Sequence, residues 1–261
     1  MSDLNVTSGN ILDESCDHCQ HGSIHGDIVK LKIKVGAEIA RAYHHGDLKN
    51  ALIVAALKQI AARGPRALSL REVARATGVS HASTYRHFPN KESVLATIAE
   101  QGFRKLSQAM RAAAQREHDE LKILHRVGVA YVEFGVSHPH HLQIMFGDFI
   151  VSHEAYPSLV EAGKEAYELL ACAVRTGQQA GRIKSEDPQL VALAAWSQVH
   201  GLALLIASGQ IPAEGIGPFK PGELANGVLS LLQEGLSLKP KPGKQRRSGT
   251  GSVRATEPRD K

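Results

Sequence analysis

Residues 77–91 read TGVSHASTYRHFPNK, and the punctuation inside this stretch leaves little choice of local structure. Gly78-Val79 breaks the chain and Ser80 is an N-cap residue type. Pro89 disfavours the helical region for the residue before it, so a helix that starts after Ser80 stops by Phe88. Such a short helix is marginal alone in water and has to bury one face against neighbours. Upstream, SLRE at 69–72 has the form of a capping box, in which the Ser69 hydroxyl accepts from the Glu72 amide while the Glu72 side chain reaches back. Leu70, Val73 and Ala74 form a one-sided apolar stripe that ends at Gly78. Before them, Leu48, Leu52, Ala55, Ala56 and Ile60 recur at helical spacing until Gly64-Pro65 stops the run. After them, Asn90 caps a longer helix towards residue 116. Two short helices joined by a glycine turn and packed on a longer first one make a helix-turn-helix.

The rest of the chain continues in helical register. Helices are expected near 119–137, 139–152 with a break at Gly147, 157–180, 187–208 and 221–236, with Asp187-Pro188 and Pro157 as the strongest starts. Residues 209–222 hold four Gly and three Pro and read as a loop. Strand-like alternation is confined to 28–35, and aromatic residues make up only 5% of the chain. The expected fold class is all-α: an N-terminal three-helix helix-turn-helix domain and a C-terminal helical domain. Residues 1–40 read as a poorly ordered extension, 41–100 as the helix-turn-helix domain, 101–238 as a second, helical domain, and 239–261 as a basic disordered tail.

Charge is partitioned along the chain. Residues 41–116 carry 13 Lys and Arg against 4 Asp and Glu, whereas 117–238 carry 7 against 14. A basic module ahead of an acidic body suggests that one part meets a polyanion and the other does different work. Three cysteines, an odd number, with no signal-peptide pattern fit a reducing cytoplasm better than a disulfide scaffold. No uninterrupted apolar run approaches the ~18 residues of a membrane span, because Ser197, Gln198 and His200 break the longest one. The expectation is a soluble cytoplasmic protein. Phosphate loops, GxGxxG, HExxH and GxSxG patterns are missing from the sequence, so no catalytic role and no cofactor are expected.

In a helix-turn-helix the second helix enters the major groove with its N-terminal residues against base edges. That places His81, Ala82, Ser83 and Arg86 at the bases, where Ala and Ser suit a thymine methyl and His or Arg donates to guanine. Tyr85, His87 and Lys91 have donors for phosphate oxygens, and Ser69 and Arg71 start the helix that crosses the backbone. Ser80 and Thr84 complete the candidate DNA-binding set, although Thr84, with Val79 and Phe88, is expected to turn its side chain into the small core.

These residues carry a resemblance. The segments SLREVARATGVS at 69–80, TYRHFPNKESVL at 84–95 and YHHGDL at 43–48 resemble the TetR family of transcriptional regulators. The resemblance implies a homodimeric all-α repressor that binds a palindromic operator and answers to a small-molecule effector. It puts backbone contacts on Ser69, Arg71, Tyr85, His87 and Lys91 and base contacts on His81, Ala82, Ser83 and Arg86. Where many relatives have Gly, Pro or Lys early in the recognition helix, this chain has His81 and Ala82, so the operator does not transfer.

WSQVHGL at 196–202 resembles the Trp-His-Gly pattern of one type of C-terminal domain in that family, and HPHHLQIMFG at 138–147 is similar to a segment preceding its pocket. His141, Met145, Trp196 and His200 are the candidate effector contacts; the same spacings also suit plain core packing. The helices near 187–208 and 221–236 are expected to form a four-helix dimer interface, with Ala192, Ala195 and Ala203 allowing close approach. Two alternatives remain open. One is a helical ligand-binding or scaffold protein with only nonspecific DNA affinity. The other is a metal-responsive regulator using Cys16, Cys19, His21 and His25, whose residue types suit zinc; metal is left out of the site set.

Overall fold

The computed structural model describes residues 45–236 apart from 213, 214 and 218. The expectations for the extension, for Cys16, Cys19, His21 and His25, and for the basic tail therefore lie outside the described residues. Among those described, the chain is all-α, with α1 at His45–Arg63, α2 at Leu70–Thr77, α3 at His81–His87 and α4 at Lys91–Ala114. The body follows as α5 at Glu120–Ser137, α6 at Pro139–Phe146, α7 at Pro157–Gln179, α8 at Pro188–Ala207 and α9 at Pro221–Leu236.

The reading head is built as the punctuation requires. Gly78 takes the left-handed conformation, φ +69°, that ends α2 at little cost only for glycine. Ser80 Oγ then accepts from Ser83 N at 3.1 Å and starts α3. Phe88 is extended, as a residue before proline should be, and its ring is 1% exposed. Asn90 opens α4 with a reciprocal cap: Ser93 N donates to Asn90 Oδ1 at 2.8 Å and Asn90 N to Ser93 Oγ at 3.4 Å.

The capping box expected at Ser69 is not formed. Ser69 makes no side-chain cap bond, and its amide donates instead to Gln59 Oε1 at 3.0 Å. Glu72 faces α1, where Gln59 and Arg63 both donate to its carboxylate. A carboxylate prefers a guanidinium within reach to a neutral amide. The hydrogen bond from Arg63 is the main reason that the Glu72 carboxyl is held below its usual range.

One continuous apolar core runs from the head into the body, and α4 is its common member. Val94, Leu95 and Ile98 lie in the first half of α4, Leu106 and Met110 in the second, and all are buried. α4 packs on α5, α6 and α7, and α5 on α8 and α9. Ala192, Ala195 and Ala203, expected at a dimer interface, are buried in this core instead. Ala203 serves close approach within the chain: a Cβ added to Gly135 of α5 would stand 2.9 Å from Ala203 Cβ.

By length and composition α8 could cross a membrane, with a mean hydropathy of 1.8. Ser197, Gln198 and His200 still interrupt its apolar run; the average is carried by the apolar residues on either side of them. Val191, Val199, Leu202 and Ile206 place one face of α8 in the core, as expected for a core helix of a bundle.

Head and body are also tied at the surface. Arg66 Nη2 donates to Asp148 at 2.9 and 2.7 Å and its guanidinium lies 5.5 Å from the Phe149 ring centre. Glu92 Oε1, in the first turn of α4, accepts from the amides of Val151 and Ser152, each at 3.0 Å.

The two serines make a clean contrast. Ser80→Ala should cost about 1 kcal/mol in urea denaturation, the usual loss of a working N-cap. Ser69→Ala should stay within about 0.5 kcal/mol, because no cap bond is lost.

Candidate nucleic-acid interface and the aromatic cluster behind it

The short α3 lies across the outside of the head with its N-terminal turn open. His81, Ala82, Tyr85 and Arg86 are exposed, Ser80 with them, while Ser83 and His87 are half-buried. Thr84 is 0% exposed and its Oγ1 donates to Ser80 O at 3.4 Å. Thr84 therefore leaves the set of side chains that can face a ligand and belongs to the core, on the side of Phe88.

Beside α3, the N-termini of α2 and α4 border a concave notch of about 480 Å³, lined by Ser69, Leu70, Arg71, Tyr85, Pro89, Asn90 and Lys91. Four of the candidate phosphate contacts thus share one surface. Backbone amides at a helix start and nearby cations suit an anion. Lys91 is partly committed already: its Nζ donates to Arg66 O at 2.6 Å. Burial, and then the Arg66 charge, push its pKa down. Asn90 and Pro89 were not among the residues picked from sequence; the cap at Asn90 was legible, but its place beside Ser69 was not.

The four candidate effector residues fall in two places. His141 and Met145 are buried on the face of α6 towards α4, where a Cβ on Gly102 would run into Met145 Sδ. The His141 Nε2 atom is buried without a hydrogen-bond partner. Burial, aided by the charges of Lys105, His138 and His140, lowers its pKa to about 4.

Trp196 and His200 instead join an aromatic cluster that the sequence did not reveal. Trp196 Nε1 donates to Tyr131 Oη at 3.3 Å, and the same oxygen lies 2.9 Å from His200 Nδ1. The Phe146 ring centre is 4.5 Å from that of His200 and 5.9 Å from that of Trp196. Tyr167 meets Trp196 edge-on at 6.2 Å, and Phe103 meets Phe146 at 5.3 Å. Burial raises the Tyr131 pKa and lowers that of His200, so both are neutral at pH 7. A buried tyrosine needs a hydroxyl partner, but nothing in the α5 sequence says which helix supplies it.

A helix-turn-helix with an exposed recognition helix, mounted on a helical body, defines a DNA-binding regulator. Comparison with known proteins agrees. Residues 52–98 match the model described as "Bacterial regulatory proteins, tetR family", and residues 124–231 match "Tetracyclin repressor-like, C-terminal domain". Together these place the chain in the TetR family of transcriptional regulators. A protein of unknown function from Rhodococcus sp. RHA1 is similar at 32% identity, TM-score 0.65, over 75% of this chain and 98% of its own. The TetR family regulator PfmR from Thermus thermophilus shares the fold at 22% identity, TM-score 0.58, over 70% of this chain and 97% of its own. A tetR family regulatory protein from Rhodococcus RHA1 does so at 19% identity, TM-score 0.61, over 74% and 98%.

The neutral burial of His141 has a sign that can be worked out. Its folded pKa lies below the unfolded value of 6.5, so the unfolded state takes up the proton first and stability falls as pH drops from about 6.5 towards 4. His141→Leu should flatten that part of the profile by up to about 3 kcal/mol, read from urea midpoints at pH 7 and pH 4.5.

Proposed function

We propose that the chain is a cytoplasmic, effector-responsive repressor that binds a palindromic operator as a homodimer and has no catalytic role. In this reading residues 41–100 form the DNA-binding domain and 101–238 the effector and dimer domain. The observation that carries it is the exposed N-terminal turn of α3 beside the notch formed by Ser69, Arg71, Tyr85 and Lys91. His81, Ala82, Ser83 and Arg86 take base edges. Ser69, Arg71, Tyr85, His87 and Lys91 take phosphates, with Lys91 first releasing the Arg66 carbonyl.

One short recognition helix covers few base pairs, and a two-fold pair of heads supplies two half-sites. Support for pairing comes from the outward face of the last two helices. Leu190, Leu193, Leu204 and Leu205 on α8 and Leu231 on α9 are all at least 45% exposed, a stripe that a second copy of the chain would cover. The effector acts by preferring one body conformation, and lowers operator affinity only by its differential affinity for the two states.

Footprinting on promoter DNA tests the reading. A protected palindrome is expected; a salt-sensitive but sequence-indifferent shift would overturn it. Arg71→Ala should weaken binding to every sequence and reduce the salt slope by about one. His81→Ala should change preference at one base position. Leu190→Glu with Leu231→Glu should yield a monomer in sedimentation and lose the footprint.

A further inference from the structure

The Tyr131 hydroxyl lies between two nitrogens of unequal chemistry. Trp196 Nε1 can only donate, so at 3.3 Å the phenol oxygen is its acceptor. Tyr131 is 5% exposed, and a buried hydroxyl proton without an acceptor is costly. The other partner of that hydroxyl among the described residues is His200 Nδ1 at 2.9 Å. The phenol proton therefore points at Nδ1, which leaves His200 as the neutral tautomer with its own proton on Nε2.

That second nitrogen is unused. His200 is half-buried, its Nε2 has no hydrogen-bond partner among the described residues, and it is not among the polar atoms sealed from solvent. The groups around it are aromatic: Phe146 and Trp196 flank the imidazole at 4.5 and 5.8 Å between ring centres. Phe103 and Tyr167 extend the same wall from α4 and α7, and Tyr167 is 37% exposed. None of these side chains carries a formal charge at pH 7. The result is a fixed donor at the edge of an uncharged aromatic cluster.

We propose that this cluster binds a neutral apolar carbonyl compound, an ester or ketone. Its oxygen accepts from His200 Nε2–H while its hydrocarbon part lies among Phe103, Phe146, Tyr167 and Trp196. The inference deepens the effector-responsive reading and rests on it for any consequence at the operator, though not for binding itself. A carboxylate fits poorly, since burial favours neutral His200 and the cluster offers no counter-charge. A pure hydrocarbon leaves the donor unpaired, which a site with a placed donor discriminates against. A ligand entering here displaces Phe146, the last residue of α6, and the segment after it reaches the head through Asp148, Val151 and Ser152.

Trp196 is the sole tryptophan, so its fluorescence reports on this site. The full chain is titrated at pH 7 with methyl benzoate, benzoate and ethylbenzene, by fluorescence and by calorimetry. Methyl benzoate should saturate one site per chain at least about tenfold more tightly than either of the others. His200→Phe should erase the ester's advantage while ethylbenzene still binds, which also shows that the variant is folded. Tyr131→Phe should reduce the advantage, because the imidazole loses the partner that sets its tautomer. Equal binding of the three probes, no saturable binding, or an ester preference that survives His200→Phe overturns the proposal. An ester that binds through His200 and leaves the operator footprint unchanged keeps the site and removes the effector reading.

Discussion

The 7 residues of α3 are too few to hold a helix in water, and the rest of the molecule can be understood as the means of holding them. Thr84 and Phe88 are the attachment: both are buried, on the side of α3 opposite the exposed His81, Ala82, Tyr85 and Arg86. Burying a phenylalanine ring supplies about 2–3 kcal/mol, a large share of what fixes so short an element. Pro89 ends α3 at that anchor, and Asn90 restarts the chain as α4 within two residues of it. The orientation of the reading face and the direction of the longest helix are therefore set by one buried ring and the proline after it.

The length of α4, 24 residues, makes it the physical link between head and body. Its first turn borders the notch beside α3 through Asn90 and Lys91 and clamps the 151–152 amides through Glu92. Further along, Gly102 receives Met145 and Phe103 meets Phe146, both on α6. A shift of α6 is thus felt at two points of the same helix. Close-packed interiors change between discrete arrangements rather than deform smoothly, so under the proposed effector reading a ligand that moves Phe146 acts on the head through α4.

Much of this architecture was legible in the chain because its signals are local. Glycine at Gly78, caps at Ser80 and Asn90, proline at Pro89 and Pro188, and the apolar stripes each act within a few residues, and the helices appear where they ask. Errors arose where a partner from another helix competed. Glu72 had the right spacing for a capping box with Ser69 but found Arg63 and Gln59. Ala203 allows close approach, yet to α5, and Ala192 and Ala195 are buried within the chain with it.

By itself the sequence determined the helix-turn-helix, since its turn, caps and stop rest on residue types at short spacing that few local backbones satisfy, and it carried the resemblance to the TetR family. The tertiary structure decided what no spacing can encode. It brought Tyr131, Phe146, Trp196 and His200 from three helices to one place, while His141 and Met145 make none of that cluster's ring contacts or hydrogen bonds. It also gave the Tyr131 hydroxyl its two partners, one of them an indole contributed from 65 residues further along the chain.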